Sequence, residues 1–230
     1  METASPEPQT QVQQTASPWM AYVVPMALFM VLTVLEGYLP KALYPWVYIG
    51  KVGIVTASLV VFRSVWKEIR VEGRVLVPAF LVGLAVFVEW VWLEKWIHYP
   101  HLGTRSAFNP FVAIPVPTTR MLFLAFRFFG LAVMVPIMEE IFWRSFLLRF
   151  ITTEKFTSLP VGTFSWAAFA AVAGGFGLAH PEWLVAVLCA VAYGLLLKQT
   201  KSLFACIVAH AVTNLTLGIY VLTAHDWKFW

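Results

Sequence analysis

The sequence predicts an all-α protein, a polytopic bundle of about seven transmembrane helices within a range of six to eight. Of its 230 residues, 60% are hydrophobic and only 12% are charged, and the mean hydropathy is +0.76. A soluble domain usually carries about 25% charged residues. Here the apolar residues form runs of about 18 or more, which are long enough to cross a bilayer as helix. The eleven tryptophans agree with this, because their rings collect at membrane interfaces.

Seven apolar segments follow one another along the chain, with boundaries that sequence patterns define only to within several residues. They cover residues 19–38, 42–62, 75–97, 120–151, 162–180, 183–198 and 202–222. Residues 1–18 are polar and contain no Lys or Arg, so we expect a disordered tail without a cleavable signal peptide. Neither an internal repeat nor a linker divides the remainder, which predicts a single transmembrane domain over residues 19–230.

The basic residues indicate a membrane topology rather than a nucleic-acid partner. The net charge is +4, but most Lys and Arg residues fall between the apolar segments. Seven crossings would bring the most basic loops, at 63–74, 144–155 and 198–201, to the same side of the membrane. Because basic loops stay in the cytoplasm, we expect an integral membrane protein with a cytoplasmic N-terminus.

The fourth apolar segment contains adjacent carboxylates followed by a cation: Glu139, Glu140 and Arg144. Ionisable residues inside apolar segments are costly, so each one indicates a function by default. Glu140 and Arg144 lie four apart on one helical face and can form a charge-assisted pair. Glu139 is rotated by about 100° from its neighbour and is left free to act. Pro136 cannot donate its amide, which frees a backbone carbonyl near position 132.

Two further pairs of residues complete the polar set in the C-terminal half. Phe176 and His180 share a face at the end of the fifth segment, and His210 and Asn214 share a face in the last one. Each pair alone has a structural explanation, because such residues often form hydrogen bonds between membrane helices. Glu140 and Arg144 could likewise be a juxtamembrane ion pair. Each structural explanation accounts for one pair but not for the whole set, since all of these polar residues would then have been placed independently on three apolar helices.

The ordered motifs E-E-x-x-x-R, F-x-x-x-H and H-x-x-x-N resemble those of the CAAX protease and bacteriocin-processing membrane proteins. The resemblance covers roughly residues 120–220. Two N-terminal stretches, Pro25-Met-Ala-Leu-Phe-Met and Tyr48-Ile-Gly-Lys51, are similar to a bacterial subgroup associated with exosortase protein-sorting systems. This narrower resemblance implies a bacterial inner-membrane location.

The family resemblance implies an intramembrane glutamic endopeptidase that needs no cofactor and no metal. Glu139 would activate a water with the help of His180, and His210 and Asn214 would stabilise the oxyanion. Glu140, Arg144 and Phe176 would be structural or orienting residues. The substrate would be a protein or peptide in contact with membrane lipid. A prenylated C-terminus, a sorting-tail protein and a bacteriocin precursor all fit this class.

Three alternatives remain open at this stage. Two glutamates and two histidines could ligate a divalent metal, although no HExxH spacing is present. The chain could also be a non-catalytic scaffold or immunity-type protein, or a transporter, although no inverted repeat is apparent.

Helix geometry adds two specific expectations. A straight fifth segment would place His180 about 27 Å from the level of Glu139, unless Gly174-Gly175 bends the helix or segments five and six turn within the protein. Glu89 and Arg127 fall at a similar depth, which predicts a buried ion pair between them.

Overall fold

The computed structural model describes residues 17–103 and 107–230. Nearly all of the predicted disordered tail, as well as Arg105, therefore lies outside the described residues. The α-helices are α1 (Met20–Tyr38), α2 (Tyr44–Val61), α3 (Leu76–Trp96), α4 (Pro110–Ala113), α5 (Pro117–Phe129), α6 (Val135–Glu140), α7 (Leu148–Phe150), α8 (Trp166–Leu178), α9 (Trp183–Thr200) and α10 (Leu203–Ala224). Short 3₁₀ helices are formed by Lys41–Leu43, Arg63–Glu68, Gly73–Val75, Phe156–Ser158 and Trp227–Phe229.

This architecture confirms the predicted all-α transmembrane bundle. Within the described residues, six helical stretches are long and apolar enough to cross a membrane. They are Met20–Tyr38, Lys41–Val61, Gly73–Trp96, Pro117–Phe150, Trp183–Thr200 and Leu203–Ala224. Helix α8 is apolar but has only 13 residues. Each of the seven predicted segments thus contains a helix, and the protein is an integral membrane protein.

The stretch Pro117–Phe150 is one long helix that contains two π-helical segments, Gly130–Met134 and Ile141–Leu147. In the first, the Val135 N–H donates to the Gly130 carbonyl, five residues back. In that register the Leu131 carbonyl would accept from residue 136, which is a proline without an N–H. The carbonyl that Pro136 frees is therefore that of Leu131, one residue from the predicted position.

Arg144 and Arg149 do not belong to a cytoplasmic loop, as the topology prediction assumed. Both lie on the long helix and are only 1% and 2% exposed. Nη2 of Arg149 donates to both carboxylate oxygens of Glu68, at 3.0 and 2.9 Å. The same carboxylate accepts from the hydroxyls of Tyr22 and Ser145. The helix continues to this depth because its charges are paired within the protein, and the N-terminal orientation stays a prediction.

Helices α8 and α9 form an antiparallel hairpin that is held at both ends. At the open end, Nζ of Lys201 donates to the Gly162 carbonyl at 2.7 Å. At the tip, the Pro181 carbonyl accepts from the Leu102 N–H at 2.9 Å. Gly177 allows the two helices to approach closely, because a Cβ there would meet the side chain of Val187. The hairpin tip therefore lies against the loop that follows α3.

Helix α3 packs against α9 and α10. At Gly83 the backbones come so close that a Cβ would lie 2.5 Å from the Ala209 carbonyl oxygen. The hydroxyl of Thr213 on α10 donates to the Gly83 carbonyl at 2.8 Å. Small residues at such contacts are typical of packed membrane helices.

The predicted ion pair between Glu89 and Arg127 is wrong. Both carboxylate oxygens of Glu89 are buried without a hydrogen-bond partner among the described residues. The Arg127 guanidinium lies 4.8 Å from the ring of Tyr48 on α2 and 5.2 Å from the ring of Trp230. Equal depth made the pair plausible, but the two helix faces point to different neighbours.

Candidate active site

One cavity of about 640 Å³ lies between the helices of the bundle, and all four predicted catalytic residues line it. Glu139 comes from α6, His180 from the α8–α9 tip, and His210 and Asn214 from α10. Phe176 also lines the cavity. The three motifs, which are separated along the chain, therefore meet at one place in the fold.

The expected offset in depth between His180 and Glu139 does not arise. The long helix descends about 17 Å from Glu139 to its end at Phe150, and the chain rises about 21 Å from Trp166 to His180. The two distances are similar and run in opposite directions, so His180 returns to about the depth of Glu139. The indole of Trp143 packs on the ring of Phe176, with centroids 5.6 Å apart, and His180 lies one turn further towards Glu139. Helix α8 remains unbroken through its glycines, so the turn of the hairpin within the protein explains the placement.

Glu139 is enclosed but not neutralised by a close partner. Its side chain is 6% exposed, and its Oε2 has no hydrogen-bond partner in the part of the chain that the structure describes. The residue lines the cavity, and a carboxylate there can accept a hydrogen bond from water. This position suits a residue that holds a water molecule against a substrate.

Glu140 and Arg144 form the predicted i,i+4 ion pair, with Nε of Arg144 3.2 Å from Oε2 of Glu140. The angle is not that of a hydrogen bond, so the contact is mainly a Coulomb attraction. The guanidinium lies between two aromatic faces, 4.7 Å from the Phe176 centroid and 5.4 Å from that of Tyr193. Its charge is thus stabilised by one carboxylate and two ring faces in a fully buried site.

Phe176 orients His180 in two ways. The two rings are stacked, with centroids 4.5 Å apart and an interplanar angle of 25°. Nδ1 of His180 lies 2.8 Å from the Phe176 carbonyl oxygen and donates to it. In the neutral ring this fixes the proton on Nδ1 and makes Nε2 the acceptor. The edge of Trp90 closes a second side of the imidazole, at 6.1 Å.

His210 has a partner that the sequence analysis did not anticipate. Its Nδ1 lies 2.9 Å from Oε1 of Glu140, and both side chains are buried. The ring also packs beside Tyr193, with centroids 5.5 Å apart. A carboxylate behind a histidine fixes the orientation of the ring. Glu140 therefore contacts both Arg144 and His210, while its neighbour Glu139 faces the cavity.

Asn214 satisfies the carbonyl that Pro136 frees. Its Nδ2 donates to the Leu131 carbonyl oxygen at 2.8 Å. An amide nitrogen carries two N–H donors, so a second donor remains after this bond forms. The π-helical segment and α10 are thereby joined at the wall of the cavity.

The cavity extends into the N-terminal half, where sequence reasoning named no site residue. Glu36 and Lys51 line it and form an ion pair with a distance of 2.5 Å between Oε2 and Nζ. Tyr48 and Arg127 line the same region. Both Glu36 and Lys51 are ionisable residues in apolar segments, so the rule that drew attention to Glu139 applied to them equally.

Among the described residues, no group of three or more His, Cys, Asp or Glu side chains is arranged to hold a metal ion. The two cysteines, Cys189 and Cys206, are buried and free, as expected of small apolar side chains. The metal alternative therefore depends on chemical tests.

Over residues 121–216, the chain matches the family described as type II CAAX prenyl endopeptidase Rce1-like. The matched range contains all three motifs, from Glu139 to Asn214. No curated protein and no solved structure matches the chain. The match supports an intramembrane endopeptidase that acts on a protein or peptide, and it does not confirm the exosortase-associated subgroup. Residues 121–216 are thus similar to the type II CAAX prenyl endopeptidases, which supports the resemblance to the CAAX protease and bacteriocin-processing membrane proteins.

Proposed function

We propose that this protein hydrolyses a peptide bond within the membrane by means of a water molecule that Glu139 activates. The observation that carries the proposal is the shared cavity, which Glu139, His180, His210 and Asn214 line together. The carboxylate of Glu139 is the base, and no described residue forms a hydrogen bond with its Oε2. A positioned general base of this kind contributes roughly 10²–10⁴-fold to the rate.

In the proposed reaction, Glu139 takes a proton from water while the water oxygen attacks the scissile carbonyl carbon. The tetrahedral oxyanion accepts hydrogen bonds from Nε2–H of protonated His210 and from the second N–H of Asn214. Nε2 of His180 assists in orienting the water, since its Nδ1 proton is committed to the Phe176 carbonyl. The proton on Glu139 then passes to the leaving amine. Because water is the nucleophile, no covalent acyl-enzyme intermediate forms.

Glu140 and Arg144 act as positioning residues. Glu140 accepts from Nδ1 of His210 and so fixes the orientation of the ring that donates to the oxyanion. Arg144, which packs between two aromatic rings, holds the Glu140 carboxylate in place. Neither residue needs to touch the substrate.

We further propose a bacterial inner-membrane enzyme with a cytoplasmic N-terminus, in line with the resemblance of its N-terminal stretches to the exosortase-associated subgroup. The basic residues of 63–74 support this orientation. Its substrate would be a membrane-associated protein or peptide, such as a prenylated or sorting-tail C-terminus.

The test compares membrane proteomes of cells that carry the wild-type protein and Glu139→Gln. The exchange is nearly isosteric and removes the base, so we expect at least one protein to accumulate unprocessed while the variant stays at normal abundance. Glu89→Gln is the matched control, because Glu89 is also an unpartnered intramembrane glutamate but does not line the cavity. Identical processing by wild type and Glu139→Gln would favour the scaffold alternative.

The metal alternative is tested on purified protein. We expect activity in detergent to survive extended chelation and the metal content to stay below stoichiometric. Activity that falls on chelation and returns with one added metal ion per chain would overturn the glutamate mechanism.

A further inference from the structure

The segment that connects α2 to α3 carries three basic side chains that the rest of the described chain leaves without an anion. Arg63, Lys67 and Arg70 are all exposed. Among the described residues, none of the three side chains forms an ion pair, a hydrogen bond or a contact with an aromatic ring. Arg74 differs from them, because its Nη2 lies 2.6 Å from Oε2 of Glu72. Three uncompensated cations therefore lie on one short stretch of chain.

This segment lies at the membrane surface, because it joins the spans Lys41–Val61 and Gly73–Trp96. Two of its apolar side chains are also exposed, Trp66 by 43% and Val71 by 79%. Tryptophan rings favour the interface between headgroups and acyl chains. A phospholipid offers a headgroup to the cations and apolar chains to the neighbouring Trp66 and Val71, whereas a free anion offers only the charge. The composition of this surface therefore fits a lipid better than a soluble anion.

The inner side of the segment is fixed to the protein. Val65 is only 3% exposed. The Glu68 carboxylate accepts hydrogen bonds from the Tyr22 hydroxyl at 2.8 Å and from Nη2 of Arg149 at 2.9 Å. Because Glu68 is engaged by buried partners, it does not neutralise the adjacent Lys67. The exposed cations are thus presented from a segment with a defined position.

We propose that the basic surface, formed by Arg63, Trp66, Lys67, Arg70 and Val71, binds the headgroups of anionic phospholipids. Basic residues next to a membrane span each add to the attraction of anionic lipid, so that a cluster of them selects such lipids. None of these five residues lines the cavity, so the inference is independent of the catalytic proposal. A lipid that binds only the folded protein also stabilises it against unfolding.

The test compares two lipids that share a phosphate but differ in net charge. Phosphatidylglycerol is anionic, and phosphatidylcholine is neutral overall. Native mass spectrometry of the purified protein in detergent measures how tightly each lipid is retained. We expect the protein to bind phosphatidylglycerol roughly tenfold or more tightly than phosphatidylcholine. The protein should also have a higher Tm in nanodiscs of an equimolar mixture of the two lipids than in nanodiscs of phosphatidylcholine alone.

Replacing Arg63, Lys67 and Arg70 together by glutamine should abolish this preference. All three side chains are exposed and unpaired, so the triple variant should fold normally. Salt gives a second check on the wild-type protein, because exposed charges are screened beyond about 3 Å in about 1 M salt. The preference should therefore decrease strongly at that salt concentration.

A matched control removes the same amount of charge from the other side of the membrane. It replaces by glutamine three exposed lysines that lie away from the basic surface, namely Lys41, Lys95 and Lys228. Lys41 and Lys95 lie at the opposite ends of the two spans that the segment joins. Lys228 follows Asp226, which lies 3.9 Å from Lys95. This variant should keep the full preference for phosphatidylglycerol.

Equal affinity of the wild-type protein for the two lipids would overturn the proposal, even if the triple variant failed to fold. A preference that survives in the folded triple variant would overturn it too. An equal loss in the control variant would show that only the net charge matters, which also contradicts a defined surface. Finally, inorganic phosphate that raises the Tm in phosphatidylcholine nanodiscs as much as phosphatidylglycerol does would contradict a lipid as the occupant.

Discussion

Nδ1 of His210 lies 2.9 Å from Oε1 of Glu140, whereas Oε2 of Glu139, the preceding residue, has no protein partner in the described chain. Adjacent carboxylates on one helix thus have different environments. One is tied to a histidine and an arginine, and the other faces a cavity. Four predictions follow from this arrangement and from the packing that supports it, in addition to the experiments above.

Replacing Glu140 should damage folding more than replacing Glu139. Glu140→Gln removes the counter-charge of buried Arg144 and weakens the acceptor of His210. Breaking a buried pair by removing one partner costs about 3–5 kcal/mol. We expect low yield and a lower Tm in detergent for Glu140→Gln, and values near wild type for Glu139→Gln. Equal melting temperatures for Glu140→Gln and the wild-type protein would contradict the structural role of Glu140.

Asn214→Ala should reduce both activity and stability. Loss of an oxyanion donor costs roughly 10²–10³-fold in rate. In addition, the Leu131 carbonyl loses its donor, and an unsatisfied buried polar group costs about 1–3 kcal/mol. Thr216→Ala on the same helix is the control, because in the described part of the chain the Thr216 hydroxyl bonds back to the Val212 carbonyl within its own helix. An Asn214→Ala protein as stable as Thr216→Ala would contradict the link to Leu131.

The Glu68–Arg149 pair should matter far more than the exposed Glu72–Arg74 pair close to it in sequence. The Glu68 carboxylate accepts hydrogen bonds from Arg149, Tyr22 and Ser145, and Arg149 is buried. Arg74 is 76% exposed, and exposed ion pairs contribute about 0–1 kcal/mol. Thermal unfolding should therefore show a large drop for Glu68→Gln and little change for Glu72→Gln. Similar drops for the two variants would argue against a buried network at this site.

Gly83→Ala should destabilise the bundle, whereas Gly174→Ala should not. A Cβ at position 83 would lie 2.5 Å from the Ala209 backbone oxygen, which cannot move without shifting α10. Overpacking of this kind costs about 1–3 kcal/mol. Position 174 has no neighbour within 4 Å of an added Cβ. If detergent-solubilised Gly83→Ala melts at the same temperature as Gly174→Ala, the close approach of α3 to α10 is wrong.

The number and order of the helices followed from the sequence, because apolar runs of membrane length leave few alternatives. Spacing of four along a helix also predicted the Glu140–Arg144 pair. The Glu89–Arg127 prediction used the same rise per residue and was wrong. Depth along a helix follows from counting residues, but the neighbour that a face meets depends on how the helices pack around one another.

The contacts between helices in the site were not visible in the sequence for the same reason. The Glu140–His210 bond joins residues 70 positions apart, and the Asn214–Leu131 bond joins residues 83 apart. The proline at 136 did indicate a freed carbonyl, but the donor that reaches it comes from another helix. Arg149 was assigned to a loop because a charge near the end of an apolar run usually marks the membrane surface. Its partner Glu68 lay 81 residues away.

The range that matches the family, residues 121–216, is not a unit that could be cut out and keep its shape. The Arg149 end of the long helix depends on Glu68 and Tyr22, and the Thr213 hydroxyl on α10 depends on the Gly83 carbonyl. The hairpin tip that presents His180 is anchored to the loop after α3, where the Trp183 indole donates to the Pro100 carbonyl. The N-terminal half therefore holds the motif-bearing helices in position. A chain shortened to the family segment would retain every motif but would lack the contacts that hold them around one cavity.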